Sequence, residues 1–346
     1  MGVVKLGDVA RESRLKWTKS KQDVPIVGLE HLIPDEIRFD AYDINTDNTF
    51  SKRFVKGQVL FGRRRAYQRK AAIAEFDGIC SGDITVIEAI EGKMVPELLP
   101  FISQTPVFFD YANRGSAGSL SPRVKWEHLA DYEFELPPLE EQKILADKLW
   151  AAYRLKEAYK KLLDATDEMV KSQFIEMFKG DNQVPLGDIC NIEKGATITR
   201  NDVLPGEVPV VAGGQEPSCY HNVANREAGA ITVSASGAYA GYINFWNCPI
   251  FASDCNTIIS KDDEKTDQTF VYFGLRAMQK QIYGLQKGGA QPHVYGKDLQ
   301  KFMFPCPSYA KQIEFSKMAK QADKSKFELR KSIDAIDKVI KSLINN

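Results

Sequence analysis

Two stretches of about forty residues, 139–178 and 308–346, contain neither glycine nor proline, and along each of them apolar or small side chains return on the alternating three and four spacing of a helical seam. In the first, the seam passes through Leu145, Ala152, Leu155, Tyr159, Leu162, Thr166 and Met169, interrupted by Lys148. In the second it passes through Phe315, Ala319, Ala322, Leu329, Ile333, Ile336, Ile340 and Leu343, broken only by Lys326. Each stretch predicts one long helix. At 1.5 Å per residue such a helix is roughly 55 to 60 Å long, more than a small globular core can cover, so each needs a partner. The pattern predicts that the two pair antiparallel as a coiled coil, holding the intervening blocks apart. The same periodicity also suits two ordinary amphipathic helices, each lying on its own domain.

Outside those stretches the apolar positions fall into short β-branched runs bounded by turn residues. The first block has such runs at 24–29, 57–62 and 83–87, and the second has them at 208–212, 230–234, 241–245 and 256–259. Residues 95–109 are the clearest helical signal of the first block, with Pro96 in the opening turn. The fold class expected is α+β: two similar mixed α/β domains, 1–138 and 180–307, separated by the long helices 139–179 and 308–346.

The two blocks repeat each other. Val4-Lys5-Leu6-Gly7-Asp8-Val9 returns as Val184-Pro185-Leu186-Gly187-Asp188-Ile189, a displacement of 180 positions. Farther on, Pro122, Val124, Leu129, Phe134 and Pro137 return as Pro292, Val294, Leu299, Phe304 and Pro307, displaced by 170. The copies match at their edges and differ inside, which predicts a pseudo-two-fold pair of units free to diverge in the middle, as a bipartite recognition task requires.

Composition narrows the function classes. The chain has 346 residues, 43% hydrophobic and 27% charged, enough for two or three domains with their own cores. Its 46 basic and 46 acidic side chains cancel, so any grip on phosphate has to come from local clusters or from a partner. Six cysteines, at 80, 190, 219, 248, 255 and 306, show no C-x-x-C pair or zinc spacing, which predicts a reduced, cytoplasmic chain. No apolar run approaches the roughly 20 residues of a bilayer span, so no membrane is expected. There is no G-x-x-x-x-G-K-[ST] loop for ATP. The only Pro-Pro pair, Pro137-Pro138, lies between Leu136 and Leu139 and lacks the Asn/Asp-Pro-Pro-Tyr/Phe signature of adenine methyl transfer. His31, His128, His221 and His293 stand far apart and predict structural roles. Neither a catalytic set, a metal site nor a bound cofactor is expected.

One cluster does point to chemistry. Arg63, Arg64, Arg65, Tyr67, Gln68, Arg69 and Lys70 place five cations, an aromatic and an amide within eight residues without an acid. Arginine grips phosphate or reads guanine O6 and N7, and glutamine reads adenine N6 and N7, so this is the leading DNA-contact segment. A solvated basic loop has the same composition. In the second block small residues replace the arginines, and Ser234, Ser236 and Tyr239 become the candidates, a hydroxyl-bearing surface expected to read a different sequence. Two Gly-rich loops, 114–123 and 287–293, carry Arg114, Arg123, Lys287 and His293 and suit a sugar-phosphate backbone, or serve as plain turns.

The segment Glu135-Leu136-Pro137-Pro138-Leu139-Glu140-Glu141-Gln142, running directly into the first long helix, resembles the junction in specificity (S) subunits of type I restriction-modification systems. Phe304-Pro305-Cys306-Pro307-Ser308-Tyr309-Ala310-Lys311-Gln312 stands where that family has its second junction, with Ser308, Tyr309 and Ala310 in place of Leu-Glu-Glu. The openings around Leu6-Gly7-Asp8 and Leu186-Gly187-Asp188 resemble the start of each of the family's target recognition domains. The likeness spans essentially the whole chain. The junction has its own physical logic: adjacent prolines resist helix, Glu140 and Glu141 complement the dipole of the first turn, and Gln142 can bond back to the incoming chain.

The resemblance implies a non-catalytic subunit for host defence and DNA methylation, in which each recognition domain reads one half of an asymmetric site in double-stranded DNA. It implies that the paired helices, the family's central and C-terminal conserved regions, set the gap between the halves and dock two DNA methyltransferase (modification) subunits using S-adenosylmethionine. Restriction subunits using ATP and Mg would join that core. The neighbouring reading is the specificity subunit of a related system whose enzyme fuses cutting and methylation; the reading from another class is a coiled-coil adaptor that binds no DNA.

Overall fold

The computed structural model describes residues 2–118 and 120–345, so Ser119 of the first Gly-rich loop lies outside the described residues. Two units emerge, one formed by the chain up to Ala158 together with Ile333 onward, the other by Tyr159–Ser332. Two unbroken helices, Leu139–Met177 and Tyr309–Asn345, each contribute to both.

In the first unit the strand Gly2–Lys5 pairs antiparallel with Glu133–Leu136, tying the beginning of the domain to its end. A four-stranded antiparallel sheet follows in the order Ala10–Glu12, Ile84–Ala89, Val59–Gly62, Ala71–Ile73. Its inner strand Val59–Gly62 is buried throughout, which is why it reads as a continuous apolar run. The second unit repeats this frame: Gln183–Pro185 pairs with Met303–Pro305, and the four-stranded sheet runs Cys190–Lys194, Cys255–Ser260, Ala230–Ser234, Ile243–Trp246.

The repeated Leu-Gly-Asp has a packing cause. Its leucines are buried, and the Leu6 and Leu186 N–H groups donate to the carbonyls of Tyr132 and Phe302, both at 2.8 Å. A Cβ on Gly7 would stand 2.9 Å from that of Ala130, and one on Gly187 3.1 Å from that of Gln300. Glycine is required because the short helices Leu6–Val9 and Leu186–Ile189 press onto Trp126–Ala130 and Gly296–Gln300.

A three-stranded sheet in each unit marks where the copies part. Both have a parallel pair, Ile26–Val27 with Gly78–Cys80 and Val208–Val211 with Phe251–Ala252. The third strand of the first unit, Lys52–Phe54, joins the later member of its pair, whereas Cys219–His221 joins the earlier member.

The long helices run antiparallel within each unit. In the second, Asp167 meets Lys326 at 2.6 Å while Phe174, farther along, meets Phe315 with ring centroids 5.4 Å apart. Val170, Phe174 and Phe178 pack there with Phe315, Ala319 and Ala322, each large side chain contributing about 1.5–3 kcal/mol of burial. In the first unit Lys156 meets Asp337 at 2.7 Å, and Ile340, Leu343 and Ile344 pack on the core that holds Ala146, Leu149, Trp150 and Tyr153.

Two expectations need correction. The buried face of the first helix is not the one expected, since Leu155, Leu162 and Met169 are about half exposed. The face actually used passes through Gln142, Ala146, Leu149, Tyr153, Val170 and Phe174, and its middle is held by Lys156 and Asp167, polar residues that an apolar count passes over. The 95–109 helix is divided into Pro96–Leu98, Leu99–Ser103 and Pro106–Arg114. Pro106 holds Thr105 extended, and the Thr105 hydroxyl caps the new helix by accepting from the Phe108 N–H at 3.2 Å.

At both junctions a buried glutamine closes the turn. Gln142 Oε1 accepts from the Val95 N–H and its Nε2 donates to the Pro137 carbonyl, each at 2.9 Å. Gln312 Oε1 accepts from the Asp267 N–H at 2.9 Å, and its Nε2 donates to the Pro307 and Lys265 carbonyls at 3.0 and 3.1 Å.

Candidate nucleic-acid interface

The basic segment leaves the strand Val59–Gly62 and turns twice through the left-handed region, at Arg65 (φ +53°) and Arg69 (φ +56°), around the 3₁₀ turn Ala66–Gln68. The segment after Ala230–Ser234 makes the same turns with Gly237 (φ +82°) and Gly241 (φ +90°). Its hydrogen bonds match as well. Gly62 N–H donates to the Lys70 carbonyl at 2.8 Å as Ser234 does to Tyr242 at 3.0 Å, and Arg65 N–H donates to Pro122 at 2.8 Å as Gly237 does to Pro292 at 3.1 Å. Arg63, Arg64, Arg65, Tyr67 and Arg69 therefore stand where Ala235, Ser236, Gly237, Tyr239 and Gly241 stand. Tyr67 and Tyr239 are both exposed.

The Gly-rich loops close on these turns. Ala117 and Arg123 exchange backbone bonds at 3.1 and 2.9 Å, as Lys287 and His293 do at 2.9 and 2.8 Å. Arg64 then bridges to Arg123, and Ser236 to His293. One loop cluster in each unit thus gathers most of the expected residues: Arg63, Arg64, Arg65, Tyr67 and Arg123 in the first, and Ser236, Tyr239, Lys287 and His293 in the second.

Several candidates, Lys287 of the second cluster among them, are engaged by neighbouring groups. Arg69 pairs with Asp35 at 2.5 Å, its guanidinium 5.5 Å from the Phe109 ring centre, and Lys70 donates to the Leu29 carbonyl at 2.6 Å. Ser234 is buried. Lys287 pairs with Asp298 at 2.7 Å. Gln68 is half-buried, and Arg114 lies at the exposed end of Pro106–Arg114, its Nε bonded at 3.4 Å to the Asp110 carbonyl of its own helix.

Sequence reasoning missed one acid in each cluster. Asp83 takes Arg123 Nε on Oδ1 at 2.7 Å and Arg64 Nη1 on Oδ2 at 3.3 Å, while its carbonyl accepts the Arg63 N–H at 2.9 Å. Burial opposes its ionisation, but the hydrogen bonds and charges of Arg123 and then Arg64 outweigh it and hold the carboxyl below its ordinary range. Asp254 occupies the same place, its carbonyl accepting the Ala235 N–H at 3.1 Å and its carboxylate the Ser236 hydroxyl. Both acids immediately precede a sheet strand, Ile84–Ala89 and Cys255–Ser260, a placement that aligning the two halves on those strands makes visible.

Three of the histidines hold structure. His31 Nδ1 accepts the Gly28 N–H at 2.9 Å, His221 Nδ1 accepts the Leu204 N–H at 3.0 Å, and His128 stacks on Tyr111 with its Nε2 2.9 Å from the Tyr111 carbonyl. Glu30, His31 and Asp43 bring ligand-type atoms within 4.8 Å of one another, the one such group among the described residues. All six thiols are unpaired, and burial pushes those of Cys80, Cys190 and Cys255 up to about 12. No helix among the described residues is long and apolar enough to cross a membrane.

The chain matches the family described as "Type I restriction modification DNA specificity domain" twice, over residues 1–165 and 180–337. It is 25% identical over 132 residues to the EcoDI type I restriction enzyme specificity subunit of Escherichia coli, a match covering 37% of this chain and only 29% of that one. The chain assigned as the MjaX type I restriction enzyme specificity subunit of Methanocaldococcus jannaschii is 23% identical over 377 aligned positions, 95% of this chain and 87% of the relative. Among solved structures, the S subunit of a type I restriction-modification system from M. genitalium superposes with a TM-score of 0.63 at 14% identity, covering 99% of this chain and 95% of that one. A chain from work on complex assembly and conformational transition of the type I R-M system gives 0.58 at 18% identity, covering 99% and 96%. At those identities the structural likeness is one of fold.

Proposed function

This chain belongs to the type I restriction-modification DNA specificity family, and on that premise we propose how it divides its work. It is a DNA sequence-specificity subunit and not itself an enzyme. Residues 1–138 and 180–307 act as target recognition domains, each reading one half of a bipartite site in double-stranded DNA. The helices 139–179 and 308–346 set the gap between the halves.

The observation that carries this reading is the pair of loop clusters, alike in backbone and hydrogen bonds but bearing different side chains. A duplicated scaffold with guanidinium groups in one copy and hydroxyls in the other suits two half-sites of different sequence. Arg63, Arg64, Arg65, Tyr67, Gln68 and Arg123 are the contacts proposed for one half, with Arg69, Lys70 and Arg114 at its margin. Ser236, Tyr239, Lys287 and His293 serve the other, with Ser234 supporting them from beneath. The reactions come from partners: two DNA methyltransferase (modification) subunits with S-adenosylmethionine, and restriction subunits with ATP and Mg, assembled in the cytoplasm. Leu162 and Met169, apolar yet half exposed on one helix, support docking of a modification subunit there.

The test is competition binding with the full chain and the subunits that co-purify with it. One gapped duplex should outcompete scrambled DNA by about a thousandfold or more at physiological salt. Equal competition by both duplexes would refute sequence reading. Methylome sequencing of cells expressing the system should return the same motif and gap.

A further inference from the structure

Asp83 is an acid at the centre of a basic patch. If the patch served only to attract phosphate, a carboxylate there would weaken it. Asp83 instead engages two arginines on selected nitrogens. Arg123 is bound through Nε, which leaves both terminal nitrogens without a hydrogen-bond or ion-pair partner among the described residues. Arg64 is bound through Nη1, with its Nε donating to the Ser121 hydroxyl at 3.0 Å, which leaves Nη2 without a partner among the described residues. The acid itself is largely covered, its side chain 19% exposed, so it is poorly placed to accept from a base.

This geometry fixes guanidinium planes and prepays the rotamer freedom that two long side chains would lose on binding. The Nη1/Nη2 edge left on Arg123 matches the paired acceptors O6 and N7 that guanine displays in the major groove. The equivalent acid in the second unit lacks such clients. Asp254 accepts the Ser236 hydroxyl, and His293 stands where Arg123 does.

We propose that Asp83 is a positioning residue for base reading, holding Arg123, with Arg64 beside it, to recognise a guanine in the half-site read by the first domain. The inference rests on the DNA-specificity reading and deepens it by assigning a base class to one half. The second half-site is read without this device.

The full chain, with its co-purifying subunits, is selected against gapped duplexes randomised in both halves, and the enriched sequences are compared for wild type, Asp83→Asn, Arg123→Lys and Asp254→Asn. Wild type should enrich a bipartite motif with guanine in one half. Asp83→Asn and Arg123→Lys should each lower that guanine preference on the order of tenfold or more while leaving the other half unchanged. Asp254→Asn should leave the guanine half unchanged. Arg123→Lys keeps the charge, so its non-specific affinity should persist, which a general loss of structure would not allow. A guanine preference intact in Asp83→Asn, an equal weakening of both halves, or a motif without guanine in the affected half would each overturn the proposal and leave the specificity reading standing. A wild type that enriches no gapped motif would refute the specificity reading itself. Should Asp83→Asn not fold by circular dichroism, Arg123→Lys decides alone, since that side chain is exposed, and an undiminished guanine preference in it overturns the assignment.

Discussion

Arg65, at φ +53°, holds the loop position that Gly237, at φ +82°, holds in the second unit. A side chain in that conformation costs roughly 1–2 kcal/mol, and the Arg65 side chain makes no capping hydrogen bond to the turn that would offset it. Allowing for the extra freedom glycine gives the unfolded chain, Arg65→Gly should leave the unfolding free energy from urea titration unchanged or raise it by up to about 1 kcal/mol. DNA affinity should fall, and the slope of log K against log salt should flatten by about one unit. Lower stability with unaltered binding would assign Arg65 to the fold.

Replacing either junction glutamine should be expensive. Gln142→Leu leaves the Val95 N–H and the Pro137 carbonyl without their partner, at about 1–3 kcal/mol for each buried group. Urea titration followed by circular dichroism should show a loss of roughly 2–4 kcal/mol, and Gln312→Leu a loss at least as large, since three bonds go. A loss below about 1 kcal/mol would mean that water replaces the amide.

Lys156 and Asp337 repeat as Lys326 and Asp167 at the displacement of 170, so the two ion pairs are copies of each other with the helices exchanged. Lys326 is nearly buried while Asp167 is about half exposed, which reduces the cost of breaking the pair below the value for full burial. Asp167→Lys should destabilise by about 1–2 kcal/mol, and adding Lys326→Asp should recover more than half of it. Absence of recovery in that double-mutant cycle would show the pair to be energetically silent.

Acid should loosen the first loop cluster. Because the folded-state carboxyl of Asp83 is held below its ordinary value, its contribution is fully present above about pH 4 and is lost as the pH falls through the lower, folded value. Asp83→Asn should flatten that part of the acid limb in a plot of stability against pH. An identical limb would place the sensitivity elsewhere.

A seven-residue insertion near Leu162, matched by one near Ile333, tests the proposed control of the gap. Seven helical residues add about 10 Å, close to three base pairs at 3.4 Å each. The preferred gap should lengthen on the order of three base pairs, read by methylome sequencing. A gap that stays the same would separate helix length from spacing.

What could be read from the sequence follows how local each cause is. Strand runs such as 59–62, the two glycine- and proline-free helices and the Gln142 and Gln312 junctions announce themselves because periodicity or a repeated motif causes them directly. The apolar pattern does not single out the helix face, because Leu155 and Leu162 fit an apolar stripe as well as the true face does, and the choice depends on Lys156 and Asp167 meeting partners about 160 to 180 positions away. The break before Pro106 was visible in the proline itself but outweighed by the surrounding apolar run. Asp83 and Asp254 are not legible because each is a lone acid until folding brings a distant loop residue against it, Arg123 from 40 positions away and Ser236 from 18.

The third strand that attaches to opposite members of the parallel pair has an evolutionary consequence. Lys52–Phe54 and Cys219–His221 lie in long excursions between sheet strands that kept their pairing in both copies. Chain can be rerouted there, lengthened or exchanged wholesale with that frame intact, so a lineage could remodel this periphery while inheriting the turns at 63–70 and 235–242 and their foundation unaltered.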